Sequence, residues 1–270
     1  MSDYDRNASA AQYGRTFGQT TVAVDEGLRA YMLRIYNYMV LGLAITGLAA
    51  LGIYMLSITS DASLAARSAT GAAYALRGGM FLTKIGYYAF VSPLKWAIML
   101  SPLAIVFLLS FGIERMRPAM AQVIFWLFAA LMGLSLGSIF LMYTHTSIVR
   151  VFFITAASFG ALSLWGYTTQ RDLTGVGSFL LMGLFGIILA SLVNLFLQAQ
   201  MLQWIISVVG VLIFAGLTAY DTQRLKSEYL YGAMDGETME RSAIVGALSL
   251  YLNFINLFTL LLQLLGQRDE

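Results

Sequence analysis

Residues 201–265 read MLQWIISVVGVLIFAGLTAYDTQRLKSEYLYGAMDGETMERSAIVGALSLYLNFINLFTLLLQLL, and this stretch decides the fold. An apolar run from Met201 enters Ala219-Tyr220-Asp221-Thr222-Gln223-Arg224. A polar turn from Gly232 to Glu240 follows, then a second apolar run from Ala243 to Leu265. Each run can cross a bilayer, which takes about 20 mostly apolar residues. Asp221 is the one carboxylate that interrupts this text away from an obvious loop. A charge at the centre of a membrane helix costs roughly 2.5–3.5 kcal/mol, so an acid kept there is read as functional.

An antiparallel hairpin ties Asp221 to the second run. Residues equally far from the apex share a depth, and Asp221 and Asn253 are equidistant in sequence from Glu237. The two should be level if neither helix slips by more than a turn. Gly246, Ser249, Asn253, Asn256, Leu260 and Gln263 recur at spacings of three and four, which sets them on one face. A mostly polar stripe does not face lipid; it faces other helices or a water-filled path. Ser249, Asn256 and Gln263 are therefore candidate lining residues beside Asp221 and Asn253. A plainer reading makes Asp221 a helix-end charge paired with Arg224 or Lys226.

Composition agrees with a helical membrane protein. Of 270 residues 59% are apolar and 11% charged, against roughly 25% charged in soluble proteins. The apolar runs are long and continuous, unlike the short alternating strands of a barrel. A net charge of +2, spread over loops, gives no footing for nucleic acid. With no cysteine and one histidine, disulfides, thiolate chemistry and multi-histidine metal sites are excluded.

Taken in order, residues 1–30 read as a disordered cytoplasmic tail, without the basic start and early apolar stretch of a cleaved signal. Residues 31–266 form a transmembrane domain with spans at about 35–58, 94–113, 119–143, 148–167, 176–197, 201–221 and 243–265. Between the first two, the Ala-rich segment Ala62–Leu76 suits a short surface helix. Tyr87, Tyr88 and Trp96 suit the interface. Pro102 predicts a kink in the second span, and Glu114-Arg115-Met116-Arg117-Pro118 a tight charged turn. Basic residues favour the N-terminal side, so the positive-inside rule puts the N-terminus in the cytoplasm and the C-terminus outside. Tyr167-Thr168-Thr169-Gln170-Arg171 faintly repeats Tyr220-Asp221-Thr222-Gln223-Arg224.

No enzyme is expected. Gly133-Leu134-Ser135-Leu136-Gly137 has nucleophile-elbow spacing, but it lies in an apolar run without the strand-turn-helix that motif needs. Glycines four apart suit close helix packing instead. His145 falls in a loop and reads as solvated, as does Asp172. Asn194, with Gln198, suits the external end of the fifth span. Tyr220-Asp221 has the look of half an intramembrane aspartyl protease. That chemistry needs a second carboxylate, and Asn253 cannot ionise.

The segment Ala219-Tyr220-Asp221-Thr222-Gln223 resembles the Bax inhibitor-1 family, the transmembrane Bax inhibitor motif proteins. So does Ala247-Leu248-Ser249-Leu250-Tyr251-Leu252-Asn253-Phe254-Ile255-Asn256-Leu257-Phe258. The likeness covers about Ala30 to Gly266, takes in Gly166-Tyr167-Thr168-Thr169 with Arg171-Asp172-Leu173, and is strongest to members of the bacterial inner membrane. It implies an all-α membrane protein of seven transmembrane helices, six surrounding a central C-terminal helix. It also implies a pH-sensitive calcium leak, in which two aspartates share a proton and an arginine after the second span latches the first aspartate. Asp221 matches that first aspartate and is the candidate metal ligand. Arg115 matches the latch, with Arg117 competing. The second aspartate is replaced by Asn253. An amide removes the like-charge coupling that sets a titration near working pH and coordinates calcium without charge. The expected partners are the lipid bilayer, calcium ions and protons. Calcium would be the transported or weakly bound ion, and no cofactor is expected. In the rival reading, a non-conducting regulator, the partner is a membrane AAA protease.

Overall fold

The computed structural model describes residues 3–68, 71–76, 79–113, 116–232 and 235–268, with side chains from Glu26 onward, that of Ser110 excepted. The helices are α1 (Asp3–Ser57), α2 (Lys84–Phe90), α3 (Leu94–Gly112), α4 (Pro118–Leu136), α5 (Ile139–Met142), α6 (His145–Thr168), α7 (Thr174–Leu197), α8 (Gln200–Tyr231) and α9 (Gly236–Leu265). Strands β1 (Ile58–Thr59) and β2 (Phe81–Leu82) pair antiparallel between α1 and α2. Among the described residues, six helical stretches are long and apolar enough to cross a membrane. The pair α2–α3, bent by 59°, makes a seventh candidate if counted as one span. The chain is an all-α membrane protein.

Burial ranks the helices. The most apolar stretch of α9 is 61% buried, against 39% for α8 and 6% for α7. α9 packs on α1, α4, α6 and α8, whereas α7 rests on α8. The core around α9 is aromatic. Tyr251 meets Phe125 and Phe128 edge-on at 5.9 and 5.4 Å, a geometry worth about 0.5–1.5 kcal/mol beyond the area buried. Its hydroxyl lies 2.6 Å from Thr46 Oγ1, which also reaches the carbonyls of Gly42 and Ala129. The phenol can donate to Thr46 while Thr46 donates onward, so neither buried hydroxyl is left unsatisfied. Tyr251→Phe is expected to lower unfolding stability in detergent by about 0.5–1.5 kcal/mol, the usual net worth of one such bond. A loss measured within error of zero would remove the bond from the core's energetics.

Gly133 and Gly137 do what their spacing suggested. A Cβ at Gly133 would strike the Thr46 carbonyl oxygen, and one at Gly137 the Ile53 side chain. α4 therefore lies against the α1 backbone where any larger residue would hold it off.

Several expectations need correction. The described part of the Ala-rich segment, residues 62–68 and 71–76, forms no helix and pairs as a ribbon. Ala66 N donates to Leu82 O at 2.7 Å, Tyr74 N to Ala66 O at 3.0 Å and Ser68 N to Ala72 O at 2.8 Å. Gly71, at φ +83, makes the turn. Alanine's helix propensity is worth tenths of a kcal/mol per residue, and a ribbon that satisfies these backbone groups overrides it. The bend near α3 falls at residues 91–93, between α2 and α3, while α3 runs on through Pro102. Pro102 cannot donate to the Ile98 carbonyl four residues back, and Ser101 Oγ donates to it instead, at 2.8 Å. The expected tail also ends sooner. α1 is helical from Asp3, and Leu28 is buried inside the bundle. His145 is not in a loop: it begins α6, with Thr144 capping, and its ring lies 5.4 Å from Tyr54 and 5.8 Å from Phe140. The sixth span, expected to stop at residue 221, continues as helix to Tyr231.

Candidate functional site

The register of the α8–α9 hairpin places the site. Glu228 pairs with Ser242, Asp221 with Ser249 and Ser207 with Gln263. Each pair is centred on Asp235, the N-cap whose side chain accepts from Thr238 N. The sequence reading centred the hairpin on Glu237, but Glu237 already belongs to the first turn of α9. The level partner of Asp221 is therefore Ser249, and Asn253 reaches it from the next turn.

Asp221 is 6% exposed. Its Oδ2 accepts from Asn253 Nδ2 at 2.7 Å and from Ser249 Oγ at 2.8 Å. Its Oδ1 lies 3.2 Å from Arg224 Nη2, one turn along the same helix. The Arg224 side chain is 45% exposed, so this ion pair is worth about 0–1 kcal/mol. Hydrogen bonds to an ionised acceptor are worth about 1.5–3 kcal/mol each. The two donors on α9 hold the carboxylate more firmly than the arginine does. Asp221 is thus paired with Arg224, as the plainer reading expects, and also faces the polar stripe of α9.

A cavity of roughly 560 Å³ opens beside this cluster. Asp221, Arg224, Ser249, Asn253 and Asn256 line one side, and Pro102 with other apolar residues of α3, α4 and α7 the other. α3 packs on α4 and α7 on α8. Asn256 bonds its own helix through the Leu252 carbonyl at 2.8 Å, leaving its amide oxygen toward other uses. Among the described residues no group of three or more His, Cys, Asp or Glu could hold a metal ion. Among the described residues lining the cavity, Asp221 is the one carboxylate a cation would meet.

The other predicted residues separate. Gln263 does not join Asp221. It accepts from Gln203 Nε2 at 2.8 Å and Ser207 Oγ at 2.9 Å, in a network extended by Asn194 Nδ2 on Gln203. Asn194 also accepts from Ala199 N at 3.0 Å, so it does tie down the end of α7, where Gln198 takes the left-handed conformation. Arg117 is exposed at the N-cap of α4 and forms no ion pair with Asp221. Arg115 lies outside the described residues.

Two supports were missed in the sequence. Gln223 clamps the α6–α7 loop, donating to Arg171 O at 2.7 Å and accepting from Leu173 N at 2.9 Å. In that loop the Asp172 carboxyl sits below its ordinary value, held first by the Thr174 hydroxyl and then by the Thr174 N–H. The brace is present at neutral pH and is lost as pH falls through the folded value. Thr222 bonds Ser163 at 2.8 Å, and Ser163 bonds Tyr36 at 2.6 Å, so a line of hydroxyls joins α8, α6 and α1. Ser163 is an isolated polar letter in an apolar run, a signal that could have found it, whereas Thr222 and Gln223 are masked by the polar string Asp221–Arg224. Finally, a Cβ on Gly166 would strike the Ala219 backbone, so α6 and α8 touch beside the site.

The protein is thus a helical membrane bundle with one carboxylate buried against a polar helix face, beside a cavity. The chain belongs to the Bax inhibitor-1 family: the family model described as "Inhibitor of apoptosis-promoting Bax1" matches residues 28–270. It is 41% identical over 244 residues to the inner membrane protein YbhL of Escherichia coli K12, covering 90% of this chain and 93% of that protein. It is 43% identical over 270 residues to protein RP147 of Rickettsia prowazekii, covering all of both chains. A protein of Caulobacter vibrioides is 41% identical over 272 residues, again across the whole of both.

Proposed function

We propose that the chain is a passive cation path of the inner membrane, conducting calcium and gated at Asp221. Seven spans, with the bent pair α2–α3 as one, would surround or include α9 as the central helix and put the N-terminus in the cytoplasm. The burial of α9 and the excess of basic residues on the N-terminal side support that arrangement. The kinship with YbhL supports the membrane assigned. The observation that carries the reading is Asp221 itself: a buried carboxylate on the wall of a cavity, held by two donors from the neighbouring helix.

The arrangement is a closed one. Arg224 occupies the side of Asp221 a cation would use, and Asn253 presents its NH₂ rather than its oxygen. A cation arriving at Asp221 displaces Arg224 toward water and turns the Asn253 amide so that its carbonyl faces the ion. Calcium prefers several charged oxygens, so one carboxylate makes a weak site. Conduction needs a site that binds but releases. No enzymatic role is proposed.

Asn253→Asp tests the reading. A second carboxylate within hydrogen-bond distance of Asp221 raises the proton affinity of the pair. The variant is expected to bind divalent ions more tightly and to conduct with a steeper pH dependence than the parent in calcium-loaded liposomes. Equal flux across roughly pH 5–8, where such coupled groups titrate, would count against a path through Asp221. A second reading, a regulator of a membrane AAA protease, is favoured by the pairing of Asp221, whose carboxylate is already held by Ser249, Asn253 and Arg224. In that case deleting residues 1–25 should abolish regulation of the protease, and Asp221→Ala should leave regulation unchanged.

A further inference from the structure

A second hollow, of roughly 680 Å³, lies on the far side of the bundle between α1 and α6. Its size falls in the range of small-molecule sites, about 300–1,000 Å³. The hollow exists because α1 and α6 pack on α8 and α9 rather than on each other. Met32, Leu33 and Met39 of α1 face Phe159 and Leu164 of α6 across it. The Tyr36 and Ser163 hydroxyls in its wall already bond each other at 2.6 Å, so they ask nothing of an apolar occupant.

The ends of the groove differ. Arg29 and Tyr167 stand at one end. Lys226 Nζ sits 5.0 Å above the Tyr167 ring and donates to the Tyr167 carbonyl at 2.9 Å. Arg29 is exposed, and among the described residues it forms no ion pair, even with Glu26 one turn earlier. From Arg29 to Met39 the helix climbs about 15 Å at about 1.5 Å per residue, half of a hydrocarbon core about 30 Å thick. The groove is one leaflet deep, apolar along its length, with an exposed arginine at the water end.

We propose that this groove seats one anionic phospholipid from the leaflet at the N-terminal end of α1, its phosphate on Arg29 and one acyl chain between α1 and α6. Basic pockets between membrane helices select anionic head groups in this way. The site is independent of the ion path: it touches neither Asp221 nor its cavity.

Gly160 allows a clean test, because a Cβ there meets nothing within 4 Å. A large side chain there starts from open space at a position that lines the groove. The full chain, purified in detergent, is mixed with phosphatidylglycerol or phosphatidylcholine of matched chains and examined by native mass spectrometry. The parent is expected to retain one phosphatidylglycerol in preference to phosphatidylcholine. Arg29→Gln should lower phosphatidylglycerol retention roughly fivefold, the effect of one basic group at the surface, and erase the head-group preference. Gly160→Phe should expel both lipids with an unchanged unfolding midpoint. If that variant fails to fold, Arg29→Gln decides alone. Equal retention of the two lipids by the parent overturns the proposal. So does phosphatidylglycerol retention unaffected by Arg29→Gln, or a dimer of this chain that Gly160→Phe splits.

Discussion

Asp221→Ala is expected to bring calcium flux in proteoliposomes down to that of protein-free vesicles while the bundle stays folded. The loss of flux follows from charge. At an effective dielectric of about 20, unit charges 4 Å apart attract by about 4 kcal/mol, and every 1.4 kcal/mol is tenfold in occupancy. Removing the carboxylate leaves a passing cation only hydroxyl and amide dipoles. The bundle survives because the orphaned groups have somewhere to turn. Ser249 Oγ and Asn253 Nδ2 lose their acceptor, at about 1–3 kcal/mol per group left dry, but both line a cavity into which they can turn. Arg224, nearly half exposed, relaxes to solvent at little cost. Asp221→Asn separates charge from shape, since it keeps the side-chain volume and one acceptor oxygen. If Asp221→Asn conducts like the parent, the carboxylate's charge is not what admits the ion.

Gly166→Val is expected to destabilise the fold more than any surface change on α6. The added Cβ would meet the oxygen, carbonyl carbon and Cα of Ala219. These are backbone atoms, and no rotamer moves them aside. Overpacking of this kind costs about 1–3 kcal/mol, occasionally more. The strain falls two residues before Asp221, so α6 must shift off α8. That shift loosens Ser163 from Thr222 and Lys226 from the Tyr167 carbonyl. The measurement is the thermal unfolding midpoint in detergent, with Gly160→Ala as the control on the open side of the same helix. Equal midpoints for the two variants would mean that α6 and α8 are not in backbone contact.

Much of this was legible in the sequence, for identifiable reasons. Continuous apolar runs fix membrane helices, and a three-four polar stripe fixes the face that α9 turns inward. The pairing of Asp221 with Asn253 came from counting outward from the turn. It survived an error in the apex because side chains reach one turn either way. What could not be read were contacts set by tertiary geometry. Ala65, Ala66 and Tyr74 lie in a ribbon because Leu82 and Thr83 return alongside them, and nothing local announces that return. Gln263 shares the stripe with Asn253, but it is spent on Gln203 because the register brings α8's first turn level with it. Arg224 was weighed only as the plain alternative, although its i+3 position is the signal that makes it the counter-charge.

The short-range pairing of Asp221 with Arg224 also bears on how the protein is made. Synthesis runs from the N-terminus, at about 5–20 residues per second, so α8 emerges and meets the lipid before Ser249 and Asn253 have left the ribosome. Arg224 is then the partner already present, one turn away on the same helix. The nascent segment can enter the bilayer as a charge-balanced unit, and α9 takes over the acid when it arrives.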